Sequence, residues 1–262
     1  MSHKEAVIYD LEYTTWSGAH ERKWSGKDEY REIIRIGAIS IDLDSLQEIE
    51  ALDLIVKPSV NPILSDYCVK VTDITDEQIR ADGIELHEAL HKFASFVGKR
   101  KIFSYGYDIM VILENLWLNN IAFDARTLKG DRSVIINEHK KNNGNQADSH
   151  LESNVVEVIL YGSNSASWAN ENSRNTLEEI SEGVHVEANL YEDCMRLTHT
   201  GLYSWFHTNA PETQGKFSGE IAKTLGDSKL KGKIHNPLFD VRSIHVGLRE
   251  LVLARHIENP LK

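Results

Sequence analysis

The first hundred residues show a pattern of apolar and polar side chains that predicts three β-strands. The runs 6–13, 32–42 and 48–56 are rich in β-branched residues, which favour strands. The second and third runs are separated only by a short L-D-S-L connection. We therefore expect the three strands to form an antiparallel meander.

After the third run the apolar positions recur with the period of an α-helix. Gly98 closes the first helical stretch as a C-terminal cap. A short strand over 102–104 then leads into a second helix over 107–118. The apolar positions of the first helix are Leu86, Leu90, Phe93 and Val97.

The end of the chain predicts a long amphipathic helix. Asn236 is a favoured N-cap residue, and Pro237 suits a first helical turn. Strands first, and then a strand alternating with helices, indicate an α/β sandwich on a mixed sheet. The apolar positions of the last helix are Leu238, Val241, Ile244, Leu248, Leu251 and Val252.

Between about residues 126 and 185 the pattern breaks down into polar, turn-prone segments. N-N-G-N-Q, S-N-S-A-S and N-E-N-S-R-N enclose one strand-like run, 155–161. We interpret this segment as an insertion in a single domain that spans 1–262. It is expected to be a surface excursion, and the alternatives are a lid over the active site or an arm that forms a homodimer.

The composition is that of an ordinary soluble globular protein. Of the 262 residues, 41% are hydrophobic and 26% are charged. No stretch of about 18 uncharged apolar residues occurs, so neither a membrane span nor a secretion signal is expected. Cys68 and Cys194 lie far apart, which suits the reducing cytoplasm, and both are expected to be buried.

Four carboxylates lie at the predicted ends of strands and helices. Asp10 and Glu12 are two positions apart on the first strand, so their side chains project from the same face. Paired acids inside a core resist burial unless a cation neutralises them; alternatively, one of them lies in solvent at the strand end. Asp108 follows the short strand. Asp240 lies in the first turn of the last helix, where the helix N-terminus stabilises a carboxylate.

His235 precedes that helix and completes the set. An imidazole titrates near neutral pH and is a natural general base for a water molecule. Four carboxylates and one histidine can hold two divalent cations, since Mg²⁺ and Mn²⁺ prefer oxygen ligands, and can activate a water.

Three motifs in this order resemble the DEDDh branch of the DEDD 3′-to-5′ exonucleases, which is related to RNase T and to the proofreading subunit of DNA polymerase III. They are D-L-E at 10–12, Y-G-Y-D ending at Asp108, and H-x-x-x-x-D from His235 to Asp240. The flanking E-I-I-R-I-G-A-I-S-I-D and N-P-I-L-S-D-Y-C-V-K-V-T-D-I-T are also similar, and D-L-E-Y-T-T-W resembles the RNA-trimming subgroup.

The resemblance implies an RNase H-like fold with a mixed five-stranded sheet flanked by helices. It also implies two Mg²⁺ or Mn²⁺ ions: Asp10, Glu12 and Asp240 would hold one, with Asp10 shared, and Asp108 would support the second. His235 would deprotonate the attacking water. Ions about 4 Å apart stabilise both the attacking and the leaving oxygen. The implied reaction releases 5′-mononucleotides from single-stranded 3′ ends, RNA being favoured over DNA.

The expected substrate contacts follow from the same resemblance. Tyr13 and Thr14 lie where the family motif meets the terminal nucleotide, and Trp16 is a stacking surface or packs under a loop. Lys233 and two further lysines alternate before the histidine, and they either contact phosphate or are simply solvated. These lysines are Lys229, Lys231 and Lys233.

The net charge of −11 is unfavourable for binding a long polyanion. It therefore supports an alternative substrate for the same chemistry, because a two-metal phosphodiesterase could act on short oligonucleotides or small nucleotides. A catalytically silent binding module is a further alternative, but it would require a missing group, and all five proposed catalytic residues are present.

A rival of another reaction class is a zinc metalloprotease. His87-Glu88-x-x-His91 matches H-E-x-x-H, in which two histidines four positions apart bind zinc. The extended form of the motif fails, since Ala94 and Val97 replace its glycine and third histidine. By its distance along the sequence, Glu114 is a possible third ligand.

Overall fold

The computed structural model describes residues 4–98, 100–106, 108–119, 123–128, 134–140, 154–161, 202–227 and 229–262. Between 123 and 161 it describes the course of three strands and no side chains. Most of the predicted insertion and Cys194 lie outside the described residues. The predictions of a single domain with an insertion, and of a lid or a dimerisation arm, therefore stay predictions.

The meander predicted at the start of the chain is confirmed. Strand β1 is Glu5–Tyr13, β2 is Ile33–Asp42 and β3 is Glu48–Ile55, and both neighbouring pairs are antiparallel. Strand β4, Lys101–Phe103, pairs with β1 in parallel. The sheet is therefore mixed and β1 is central, so both faces of β1 are covered by packed side chains.

The predicted count of five strands is wrong, because the described part of the sheet has seven. Strands β5 (Phe123–Leu128), β6 (Val134–Lys140) and β7 (Asn154–Tyr161) extend the sheet beyond β4. The order is β3-β2-β1-β4-β6-β7-β5. Only β7 is evident as a strand in the sequence. The run V-I-I-N-E-H-K of β6 ends in four polar residues and lacks an apolar alternation, so sequence pattern did not predict it.

Four helices follow the meander along the chain. The third and fourth, α3 and α4, agree with the predicted helices, and Gly98 caps α3 as expected. The first two were not predicted because each has only seven residues; side-chain oxygens of Ser65 and Thr75 cap them. The four helices are α1 Asp66–Thr72, α2 Asp76–Asp82, α3 Leu86–Val97 and α4 Asp108–Leu118.

The described residues from 202 onward add three α-helices, of which the last is the predicted long one. Helix α5 is Leu202–Asn209, α6 is Ile221–Thr224 and α7 is Pro237–Arg249. Asn236 caps α7 by accepting the N–H of Phe239, as its place in the sequence predicts. A π-helical turn, Glu250–Ala254, continues the helix. None of the described helices has the length and apolar character that a bilayer-spanning segment needs.

Strand β1 divides the core into two clusters. Val7, Tyr9 and Leu11 pack with residues of α3 and α4, whereas Ala6 and Ile8 pack with residues of α7. Because side chains alternate along a strand, residues 10 and 12 project toward the α7 side. The free thiol of Cys68 is fully buried in a third, smaller cluster, as predicted.

Gly37 allows α7 to approach the sheet at this position. It lies directly opposite Asp10 in the β1–β2 ladder. A Cβ atom at Gly37 would lie 2.5 Å from the backbone N of Leu238 and 2.5 Å from the carbonyl carbon of Pro237. Only a residue without a side chain therefore permits this contact, which places the first turn of α7 over the acidic end of β1.

Candidate active site

The structure brings the four predicted carboxylates together at the end of β1. Each of the four residues is at most 8% exposed. They come from three elements: β1, the start of α4 and the first turn of α7. The four are Asp10, Glu12, Asp108 and Asp240. The alternative in which one acid of β1 lies in solvent is wrong, since both are buried.

Asp108 is held by the backbone of the neighbouring strand. The β1–β4 ladder ends at Ile8 and Phe103. Beyond that point the Leu11 N–H donates a hydrogen bond of 3.1 Å to Asp108 Oδ1. Because β4 is short, the Leu11 N–H of β1 has no partner on β4 and bonds to the Asp108 carboxylate instead. This contact holds Asp108 beside Asp10 and Glu12.

Asp240 has one satisfied and one unsatisfied oxygen. Its Oδ2 accepts hydrogen bonds from the Ser218 hydroxyl at 3.1 Å and from the His235 N–H at 3.3 Å. Its Oδ1 is buried and has no hydrogen-bond partner among the residues that the structure describes. A Cβ atom at Gly219 would lie 2.4 Å from this Oδ1, so glycine is needed for the carboxylate to lie this close to the backbone of residue 219. A buried carboxylate oxygen without a donor fits a bound cation.

His235 lies at the mouth of this cluster. Its Nδ1 is 3.9 Å from Glu12 Oε1, and its backbone has a positive φ of 68°. The Phe217 ring packs edge-on against the imidazole, with ring centroids 5.5 Å apart. Possible ligand atoms of Glu12, His235 and Asp240 all lie within 4.8 Å of one another. The position of His235 is therefore compatible with a metal ligand as well as with the predicted base.

Burial raises the pKa values of all four carboxyls, and repulsion from neighbouring carboxylates raises those of Asp10, Glu12 and Asp240 further. Burial raises the pKa of Asp108 to about 6 and that of Asp240 to about 7. The pKa of Asp10 is raised by burial and then by the charge of Asp108, and that of Glu12 by burial and then by Asp240. The positive charge of Arg35, which lies opposite Glu12 in the β1–β2 ladder, lowers the pKa of Glu12.

These observations fit divalent cations as the missing partners of the four carboxylates. A positive ion removes the repulsion that raises the pKa values, and oxygen ligands are those that Mg²⁺ and Mn²⁺ prefer. For His235, burial and the charge of Lys233 lower the pKa. The imidazole is therefore neutral near pH 7 and can accept a proton.

The three residues expected to meet the terminal nucleotide follow Glu12 closely along the chain. Thr14 is 2% exposed; its hydroxyl donates to the Tyr30 carbonyl at 2.6 Å and accepts the Glu32 N–H at 2.9 Å. Its side chain therefore supports the loop before β2. Tyr13 and Trp16 are half-buried, and Tyr13 packs against Trp24. Their contact with a nucleotide stays a prediction.

The three lysines before His235 are exposed and differ in their contacts. The Lys233 ammonium pairs with the Asp73 carboxylate and lies 3.5 Å from the Lys70 carbonyl. This links the predicted phosphate contact to α1, so Lys233 must exchange a protein partner to bind substrate. Lys229 and Lys231 form no ion pair within the described residues.

The zinc-protease alternative is not supported by the positions of its residues. His87, Glu88 and His91 are exposed on α3, and Glu88 pairs with Lys92 at 2.8 Å. The proposed third ligand is wrong: Glu114 is buried and accepts a hydrogen bond of 2.8 Å from Arg31 Nε. In the described part of the chain, the three-residue group that could hold a metal lies elsewhere, at Glu12.

Sequence reasoning missed three residues that shape the site. The role of Gly37 could have been predicted from the sequence, because a glycine inside a strand often marks a close approach of another backbone. No sequence pattern points to Ser218 and Gly219, because they contact Asp240 from a 3₁₀ turn that is remote along the chain.

Comparisons with known proteins agree with this geometry. The model of the exonuclease family (RNase_T) matches residues 7–196, a range that includes Asp10, Glu12 and Asp108 and ends before His235. Over 93 residues the chain is 31% identical to ERI1 exoribonuclease 2 of Xenopus laevis, covering 36% of this chain and 12% of that protein.

Two solved structures share the fold. A full-length 3′-exonuclease superposes with a TM-score of 0.54 at 14% identity, covering 97% of this chain and 62% of the other. The second is a 3′-exonuclease described in 3′-end-specific recognition of a histone mRNA stem-loop. It superposes with a TM-score of 0.53 at 14% identity, and the match covers 96% of this chain and 83% of the other. At such identities the likeness establishes the fold alone, and it confirms the RNase H-like α/β class. Because the family match spans more than half of the chain, this protein belongs to the RNase T-type exonuclease family.

Proposed function

We propose that this protein is a metal-dependent 3′-to-5′ exonuclease. It hydrolyses phosphodiester bonds at single-stranded 3′ ends, RNA in preference to DNA, and releases 5′-mononucleotides. The observation that carries the proposal is the convergence of four buried carboxylates beside His235, where Asp240 Oδ1 has no hydrogen-bond donor in the described part of the chain.

The carboxylates are the proposed ligands of two Mg²⁺ or Mn²⁺ ions. Asp10, Glu12 and Asp240 would hold one ion, with Asp10 shared, and Asp108 would support the second. When bound, such ions stabilise the negative charge on the attacking and leaving oxygens. Ser218 and the Leu11 N–H hold Asp240 and Asp108 in place, so the chain itself pre-organises these oxygens.

His235 is the proposed general base. Its pKa is lowered by burial and by Lys233, so the imidazole is neutral and can take a proton from the attacking water. Its backbone N–H is bonded to Asp240, and Phe217 packs on its ring, so two contacts fix its position at the mouth of the site. The proton then leaves to solvent, because the His235 side chain is 36% exposed.

A second candidate keeps this chemistry and changes the substrate. The net charge of −11 disfavours long polyanions and supports a phosphodiesterase that acts on short oligonucleotides or small nucleotides. The relative named as an exoribonuclease supports the RNA preference. Substrate length distinguishes the two candidates.

A digestion panel tests the proposal. Purified protein with Mn²⁺ or Mg²⁺ is offered 3′- and 5′-labelled single-stranded RNA, DNA and dinucleotides. We expect shortening from the 3′ end with release of 5′-mononucleotides, and at least about 10²-fold slower turnover for Asp10→Asn, because the altered side chain loses a metal-binding charge.

The matched control is Asp44→Asn. Asp44 is an exposed carboxylate paired with Lys262, far from β1's acidic end, and its loss should leave turnover unchanged. Full activity of the Asp10→Asn variant, or no hydrolysis of any substrate with either metal, would contradict the proposal. Preferential turnover of dinucleotides would favour the second candidate.

A further inference from the structure

A groove lies at the end of α7 that is remote from the four carboxylates. It has a volume of about 600 Å³ and runs between α6 and the C-terminal end of α7. Arg249 and Lys229 provide its positive charge, and Leu253, which is 46% exposed, forms part of its apolar wall. Along the axis of α7, Arg249 is about 13 Å from Asp240, at 1.5 Å per residue.

Arg249 is half-buried, and its buried Nε has no acceptor among the described residues. Within the same residues no carboxylate pairs with its guanidinium. Two carboxylates, Asp227 and Glu250, also line the groove, and each has a contact with a group other than Arg249. Asp227 accepts the Lys229 N–H at 2.6 Å, and Glu250 Oε1 lies 3.8 Å from Arg255 Nε. Because no described carboxylate pairs with the half-buried guanidinium of Arg249, its charge can attract an external anion.

The backbone at this end of the helix is unusual. The turn Glu250–Ala254 is π-helical, and the Arg255 N–H donates to the Glu250 carbonyl at 3.1 Å. Single π-helical turns are rare and are frequent at functional sites. This turn directly follows Arg249 and lines the same groove, so it supports a binding role independently of the unsatisfied N–H.

A short segment connects the groove to the active site. Residues 229–235 run from the groove to His235 along α7. Gly232 packs directly on Phe239, since a Cβ atom there would lie 2.1 Å from the ring. Lys229 and Lys231 are exposed on this segment, and neither forms an ion pair in the part of the chain that the structure describes. The positive charges therefore extend from Arg249 toward the catalytic histidine.

We propose that Arg249, Lys229 and Lys231 form a phosphate-binding track for the single strand upstream of its 3′ end. The inference rests on the proposed function and names where the remainder of the substrate lies. A chain of net charge −11 needs local cations to hold a polyanion, and a guanidinium matches phosphate geometry. The distance of about 13 Å corresponds to about four stacked nucleotides at about 3.4 Å each.

The test compares two substrate lengths. The triple variant Arg249→Ala/Lys229→Ala/Lys231→Ala and wild type are assayed on 5′-labelled oligonucleotides of 2 and 12 residues, as RNA and DNA, at several salt concentrations. For the 12-mer we expect kcat/KM to fall about tenfold and the slope of log(kcat/KM) against log[salt] to decrease by about 2, at about 0.7 per lost contact. For the 2-mer, kcat/KM should stay unchanged.

Arg242→Ala is the matched control, because Arg242 lies on the same helix but pairs with Glu48 at 2.7 Å. Its salt slope should equal that of wild type. Arg249→Met keeps the apolar stem in case the alanine variant folds poorly. The proposed track is overturned if the triple variant loses kcat/KM equally on the 2-mer and the 12-mer. It is also overturned if the salt slope for the 12-mer is unchanged.

Binding separates this inference from the proposed function. Fluorescence anisotropy of the labelled 12-mer in EDTA measures the track without turnover. If wild type hydrolyses nothing but binds the 12-mer about tenfold more tightly than the triple variant, the track stands and the proposed reaction fails. If both proteins bind the 12-mer equally, the track is overturned whatever the activity.

Discussion

At the scale of single residues, Asp240 shows how burial and function conflict. Its carboxyl is 2% exposed, and one of its oxygens has no donor. Without a cation, a charge at this position destabilises the fold. If Asp240 is the metal ligand that we propose, its burial lowers the stability of the metal-free protein.

Replacing Asp240 by asparagine should stabilise the metal-free protein at alkaline pH. The folded-state pKa of about 7 lies above the value of about 3.9 for an unfolded Asp. The carboxyl therefore favours folding below about pH 4, and this contribution is lost as pH rises through about 7. Urea unfolding in EDTA should show Asp240→Asn more stable than wild type by at least about 1 kcal/mol at pH 8, with a smaller difference at pH 5.

The exposed Asp44→Asn variant provides the comparison, and its stability relative to wild type should change little between the two pH values. A constant difference between wild type and Asp240→Asn from pH 5 to pH 8 would show that the Asp240 carboxyl does not titrate in this range.

Gly219→Ala should lower metal affinity and turnover at least about tenfold while the protein stays folded. The new Cβ atom would lie 2.4 Å from Asp240 Oδ1, so the carboxylate must move from the position that faces the other acids. Calorimetric titration with Mn²⁺ and kcat measure the two effects. Gly106→Ala is the control, because its Cβ atom would meet Asp108 Oδ2 at an ordinary 3.7 Å. Equal behaviour of the two variants would exclude this role for Gly219.

At the scale of elements, the site depends on how closely α7 docks on β2. The sequence predicted both elements and the Asn236 cap, because apolar periodicity and capping are local properties. It did not predict the two seven-residue helices, which are too short to show a period, nor strand β6, whose residues are largely polar.

Gly37→Ala should destabilise the protein by about 1–3 kcal/mol, the usual range for overpacking. The contact would be with the backbone of Pro237 and Leu238, which cannot rotate away as a flexible side chain can. Denaturant unfolding measures the loss, and turnover should fall with it because Asp240 moves with the helix. On the same strand, Ser40→Ala is the control. It removes a buried hydroxyl that has no partner and should be neutral or stabilising.

At the scale of the whole molecule, metal binding and folding should be linked through the four carboxylates. Carboxylates ligate a cation in their ionised forms, and burial raises the pKa of Asp108 to about 6 and that of Asp240 to about 7. Mn²⁺ at about 100 times its Kd should therefore raise the melting temperature at pH 8, for a stabilisation of about 2.7 kcal/mol. The shift at pH 5 should be smaller.

The double variant Asp10→Asn/Asp240→Asn serves as the control for this linkage. It should show no metal-dependent shift at either pH. A shift equal to that of wild type would place the cation at another site.

The sequence by itself determined the meander, the main helices and the identity of the acidic residues, since alternation, capping and short motifs depend on near neighbours in the chain. The tertiary structure alone decided which groups meet. It aligned Gly37 with α7, set Ser218 and Gly219 against Asp240, and left the Arg249 Nε without an acceptor among the described residues. Such contacts join residues that are distant along the chain, and packing in three dimensions decides them.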